Sequence, residues 1–193
     1  MPFVHLHVRS EFSLLEGVPS VKALVARAKA LGYGSLALTD VNRMSGLVLF
    51  LGACREAGIK PILGAEIVEA ARAGAPAGRS EGVVILARNS EGYGDLCEIL
   101  TRRQLDGAAF TIAGTFAKAW PNLRLLTASP RHLKTLAAGP NRQRLHGELV
   151  RHCPESRARG RELEALCAAE GVPVVASGDV RFLERADHEV HRI

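Results

Sequence analysis

The segment LHVRSEFSLLEG, residues 6–17, opens like the metal-binding end of a strand, with His5 and His7 on one face because side chains alternate along an extended chain. Arg9 then stands where the next ligand on that face would be expected. Further along, Asp40, Glu66 and Asp179 each fall at or near the end of an apolar, β-branched stretch. Imidazoles and carboxylates crowded together are what divalent cations require, and such cations activate water for attack on phosphoesters.

These groups act together only if the fold brings strand ends to one place. Apolar clusters alternate with amphipathic stretches along the chain, which reads as seven βα units. Strands are expected at 3–8, 35–40, 61–68, 83–87, 123–128, 144–150 and 172–179. Helices are expected from Pro19 or Ser20 to Gly32, over 47–57 up to Gly58, from Ser90 as N-cap toward Leu105, over 131–137 and over 161–171. The Gly/Ala-rich run 70–82 reads as a surface loop, and HEVHRI at 188–193 begins another helix pattern. Such alternation implies parallel strands with right-handed crossovers. SEFSLLEG supplies no glycine-rich phosphate loop after the first strand, which argues against a dinucleotide fold. An α/β fold closed as a (β/α) barrel is favoured, because the polar strand ends would then converge on one rim.

Composition narrows the class. The 193 residues, 47% hydrophobic, fit one globular domain, and 25 Lys and Arg against 20 Asp and Glu leave a net charge of +5, too mild to specify a polyanion. Cys54, Cys97, Cys153 and Cys167 are widely spaced without a CxxC pair, so neither a disulfide framework nor a zinc ribbon is expected. The opening MPFVHLHV lacks the pattern of a signal peptide and no run is long enough for a membrane span, so a cytoplasmic protein with no membrane partner is expected.

Four segments in order, FVHLHVRSEFSLLEG, SLALTDVNRMSGLVLFLGACREAGIKPILGAE, VVILARNSEGYGDLCEIL and GVPVVASGDVRF, resemble the PHP (polymerase and histidinol phosphatase) domain of bacterial DNA polymerase III alpha subunits and their error-prone relatives. The resemblance spans nearly the whole chain and is weakest over 107–145. It implies a distorted seven-stranded (β/α) TIM-like barrel over residues 1–193, the N-terminal fragment of a longer polymerase chain. Intact members bind a divalent metal cluster at the rim and cleave phosphoester bonds. Carried over residue by residue, the resemblance retains His7, Asp40, Glu66 and Asp179, with Glu16 in place of aspartate, and loses ligands at Arg9, Val41, Gly82 and Arg181. Arginine does not shed its proton and valine has no donor atom.

The expectation is a degenerate, non-catalytic module with no cofactor, in which Arg9 and Arg181 pair with Asp40, Glu66 or Asp179 and replace the charge of lost metal ions. What the resemblance then implies is a structural role in replication or translesion synthesis, with the other polymerase domains in cis, a proofreading exonuclease subunit docked on it, and DNA reached through the parent protein. The alternative is a metal-dependent phosphoesterase or 3'-5' exonuclease with residual Mn or Zn on the retained residues. His5 is expected as a hydrogen-bonded core histidine, His188 and His191 as surface residues, and the basic stretch 131–152 as a solvated face with no interleaved aromatics. Cys54, Cys97 and Cys167 are expected in the core and Cys153 exposed.

Overall fold

The structure, a computed structural model, describes residues 3–70, 81–152, 154–184, 186, 187 and 189. The chain forms two compact units: Met1–Ala65 with Ser177–Ile193, and Glu66–Ala176. Most of the 70–82 loop, Cys153, His188 and His191 lie outside the described residues. Among the described residues no helix is long and apolar enough to cross a membrane.

In the first unit, α1 (Val21–Ala30) starts at Ser20, whose hydroxyl accepts a hydrogen bond from the Ala23 amide at 3.2 Å. Val21, Leu24, Val25 and Ala28 recur at helical spacing and are buried. Strand β1 (Ser35–Leu38) is followed by α2 (Leu47–Ala57), which stops at Gly58 in the left-handed region with φ 72°. β1 pairs in parallel with β2 (Lys60–Ile67), Ser35 opposite Lys60. The core joins Val8, Leu24, Leu38, Phe50, Cys54 and Ile59, with Phe12 and Val180 against it. Burial raises the Cys54 thiol to about 11, so it is a packed apolar group rather than a nucleophile.

The strand expected at 3–8 does not form a ladder; it is reduced to an isolated parallel bridge between Val8 and Val180. The register beside β1 is irregular: the Ala37 and Thr39 amides bond the His5 and Val8 carbonyls, so two residues on one side span three on the other, and the Val8 amide is taken by the Thr39 hydroxyl at 2.8 Å. The segment is nevertheless fixed on both sides, since the Arg9 amide bonds the Val180 carbonyl, the Val180 amide bonds the His7 carbonyl (both 2.9 Å), and the Ala37 amide bonds the His5 carbonyl at 3.1 Å.

In the second unit β3 (Val83–Ala87), β4 (Leu123–Thr127), β5 (Leu145–Leu149) and β6 (Val174–Ala176) form a ladder in that order. β3 runs antiparallel to β4, and the remaining pairs are parallel, so the expectation of parallel strands throughout is corrected here. The reversal follows from what joins them. After α3 (Ser90–Leu105) the chain adds a 3-10 turn at Gly107–Ala109 and a short helix α4 (Ile112–Thr115) before entering β4 from the opposite end. Buried Asn141 fixes this connection. Its side-chain amide donates to the Phe116 and Lys118 carbonyls at 2.9 and 2.8 Å and accepts from the Trp120 amide at 2.8 Å, while the Trp120 indole donates to the Thr115 carbonyl at 2.9 Å. Helices α5 (Pro130–Ala137) and α6 (Pro154–Glu170) complete the unit, α6 beginning well before the expected residue 161.

Candidate functional site: an ion-pair cluster in the first unit

The loop after His7 closes on itself before it reaches α1. The Ser13 amide bonds the Ser10 carbonyl, and the Glu16 and Gly17 amides both bond the Ser13 carbonyl, each at 2.9 Å. A Cβ at Gly17 would lie 2.2 Å from the Ser10 carbonyl oxygen, so only glycine permits this closure. The loop thereby carries Arg9, Ser10, Ser13 and Glu16 to the end of β1, where Asp40 stands, and beside the segment holding Asp179 and Arg181.

Asp179 is the hub. Its Oδ1 accepts from Arg9 Nη1 at 2.7 Å and from Arg181 Nε at 3.3 Å, and His7 Nε2 lies 3.8 Å away. Glu16 closes the cluster, taking a hydrogen bond from Arg181 Nη1 and standing 3.7 Å from Arg9 Nη1. Two guanidinium groups thus face two carboxylates. The side chains of Arg9, Asp179 and Arg181 are 4%, 7% and 8% exposed, whereas Glu16 is 38% exposed. Asp179 also has a positive φ of 40°, a conformation that aspartate tolerates better than most residues.

Asp40 behaves differently from the expectation. Its partners are the Ser10 amide at 2.7 Å, the Ser10 hydroxyl at 2.8 Å and the Ser13 hydroxyl at 2.6 Å, all buried, with no arginine among the described residues. The Ser13 hydroxyl in turn accepts from the amide of Val41 at 3.0 Å. Pairing of both arginines with Asp179 agrees with the sequence reading, while the role of Glu16 as their second carboxylate, and of Ser10 and Ser13 as the partners of Asp40, was missed. The signal was present in SEFS, two serines spaced to turn back on the strand end.

Because Glu16 is more than a third exposed, its ion pairs are screened by water. Glu16→Gln is expected to lower stability by less than about 1 kcal/mol in urea unfolding, far less than any change at Asp179.

A family model described as "PHP domain" matches residues 5–170. The chain is a member of the PHP domain family. It is 31% identical to DNA polymerase III subunit alpha of Escherichia coli K12 over 99% of its own length and 18% of that protein's. It is 32% identical to the error-prone DNA polymerase of Xanthomonas campestris pv. campestris strain 8004, over 97% and 18%. The PHP chain therefore spans under a fifth of the length of these relatives. Its fold is similar, with TM-score 0.57 and 16% identity, to a Bifidobacterium adolescentis protein assigned as a metal-dependent phosphoesterase, covering 93% of this chain and 87% of that one.

Two further positions at which the sequence resemblance leads one to expect ligands, Glu66 and Gly82, lie in the second unit. Glu66 is buried in β2, and a Cβ built at Gly82 would meet its Oε1 at 2.6 Å and its Cγ at 2.8 Å. The Glu66 side chain fills the volume that a residue with a side chain at 82 would need. Among the described residues no three His, Cys, Asp or Glu side chains are arranged to hold a metal ion. His5 is not hydrogen-bonded as expected. It packs edge-on between the Phe3 and Tyr33 rings, at 4.9 and 5.2 Å, its Nδ1 has no partner among the described residues, and burial lowers its pKa. Cys54 and Cys167 are buried and Cys97 is partly buried, all as free thiols.

Proposed function

We propose that this PHP domain is a degenerate, non-catalytic part of a DNA polymerase III alpha-type chain, replicative or error-prone. In this reading it serves as a structural module on a distorted (β/α) barrel, packed against the other polymerase domains and offering a docking surface to a proofreading exonuclease subunit. One observation carries the loss of catalysis: Arg9 and Arg181 hold Asp179 at 2.7 and 3.3 Å in the place where intact relatives are expected to hold cations. The donor set does not fit a metal. Asp179 is already neutralised by two fixed positive charges, Asp40 is occupied by three hydrogen-bond donors, and a divalent ion at this point would be repelled by both guanidinium groups.

Elemental analysis and a chromogenic phosphodiester test this reading. The purified protein is expected to carry no stoichiometric Zn or Mn and to leave bis-p-nitrophenyl phosphate intact. Stoichiometric metal with cleavage, both lost in His7→Gln, would install the opposite reading, a phosphoesterase or 3'-5' exonuclease on a reduced site. Replacing Arg9, Val41 and Arg181 together by histidine removes both repelling charges and adds donors, so Zn affinity is expected to rise at least about tenfold in a competition assay with a chromogenic chelator. No gain would show that the two arginines are not what keeps cations out.

A further inference from the structure

A second cluster of arginines has no carboxylate to answer it among the described residues. Arg124 lies in β4 opposite Leu86 of β3, and Leu125 lies opposite Leu145 of β5, which puts Arg144 beside Arg124 on the next strand. The β3 ladder continues past its end, with the Arg88 amide bonding the Asn122 carbonyl at 3.0 Å, so Arg88 shares a face with Leu86 and stands diagonally from Arg124. Arg88 Nη1 and Arg144 Nε converge on the same acceptor, the Pro121 carbonyl, at 3.3 and 3.1 Å. Three guanidinium groups from distant parts of the sequence thus meet on one face of the second unit's sheet.

Arg124, half-buried between the other two, makes no hydrogen bond or ion pair with any described residue. Burial, followed by the charges of Arg88 and Arg144, holds its pKa below the ordinary arginine range, and no carboxylate among the described residues opposes that effect. Glu91, three residues from Arg88, is bonded to the Ser90 hydroxyl. Elsewhere arginines do find acids: Arg27 with Glu184, Arg102 with Glu98 and Arg151 with Glu164. Like charges gathered on a partly desolvated face raise the free energy of the fold, and an anion seated among them removes that penalty. Guanidinium groups match phosphate oxygens in charge and in fork geometry.

We propose that Arg88, Arg124 and Arg144 form a phosphate-binding site that takes the sugar–phosphate backbone of a nucleic-acid strand. Arg88 is exposed, and Arg142, also exposed and bonded to the Glu170 carbonyl, adds a fourth guanidinium just before β5, so more than one phosphate could be met from solvent. The choice of nucleic acid as the source of the phosphate rests on the polymerase reading above. The arginine geometry does not.

The test is fluorescence anisotropy of the 193-residue chain with a labelled oligothymidylate across a salt series, for the wild type and for Arg124→Gln/Arg144→Gln. The double variant is expected to bind about tenfold more weakly, with the slope of log affinity against log salt reduced by about 1.4, roughly 0.7 for each lost phosphate contact on a single strand. Arg88→Gln, on an exposed side chain, is expected to show the same trend at about half the size, and thermal melts report whether each variant is folded. Unchanged affinity and slope in both variants would overturn the proposal. So would an equal loss in Arg55→Gln, at the far end of α2, since binding would then follow net charge alone. Poly-glutamate displacing the oligonucleotide as well as unlabelled DNA does would make the cluster a docking point for an acidic protein instead. If inorganic phosphate stabilises the wild type but not the double variant while no DNA binds, the site takes free phosphate and the strand reading falls. Metal content and phosphodiester cleavage are independent of these substitutions, so failure here is separable from failure of the polymerase reading.

Discussion

Asp179→Asn is expected to destabilise the protein by about 3 kcal/mol and to lower its melting temperature by roughly 6–12 °C. Asparagine keeps the shape of aspartate and tolerates its φ of 40°, so the substitution removes charge and little else. The guanidinium groups of Arg9 and Arg181 would remain, on side chains 4% and 8% exposed, with their shared carboxylate gone. Two buried guanidinium groups would then be left sharing Glu16, whose carboxylate is partly exposed and screened, and losing a buried acid costs more than losing an exposed one, which is why the effect should exceed that of Glu16→Gln several-fold. Urea and thermal unfolding measure it directly. A melting curve for Asp179→Asn that superimposes on the wild type would mean the cluster is solvated and that arginine has not taken over the role of metal charge.

The second large effect belongs to Asp40. Asp40→Ala takes away the acceptor of the Ser10 amide and of the Ser10 and Ser13 hydroxyls, on residues 0% and 1% exposed. Hydrogen bonds to a charged group contribute about 1.5–3 kcal/mol each, but water entering the vacated space would recover part of the loss. A net loss of about 4 kcal/mol is expected, and about half of that for Asp40→Asn, which keeps one acceptor oxygen. Hydrogen exchange adds a local readout: the Ser10 amide should exchange faster in Asp40→Ala, with the Gly17 amide following as the loop opens. Full protection of Ser10 in a folded Asp40→Ala protein would show that backbone bonds alone close the loop.

Much of this was legible in the residues. Periodicity placed α1, α2, β3 and α3 to within about two residues, because apolar faces and terminating glycines act locally, although α3 is capped by Asn89, which accepts from the Gly92 amide, and not by Ser90 as expected. Arg9 and Arg181 pointed to an acid at a strand end, because a buried guanidinium needs one, but the residues alone left Asp40, Glu66 and Asp179 open and the structure shows Asp179. What stayed hidden depended on partners distant in sequence. Nothing between residues 3 and 8 reveals that the Thr39 hydroxyl will take the Val8 amide. Nothing in LRLLT reveals that β4 runs against β3, since the reversal is built by the 107–122 connection and anchored by Asn141. Charge alone did not separate Arg124 and Arg144 from other surface arginines; the strand register gathers them.

The first unit is discontinuous, made of residues 1–65 and 177–193 with the second unit inserted between them in sequence. On a ribosome adding about 5–20 residues per second, Arg9 emerges long before Asp179, and roughly 8–35 s of synthesis separates them. During that interval Arg9 has Glu16 beside it but lacks Asp179, and Val8 lacks Val180. A nascent chain stalled before residue 177 should therefore be protease-sensitive at its start and be engaged there by holdase chaperones, although the inserted unit behind it already has all its own strands.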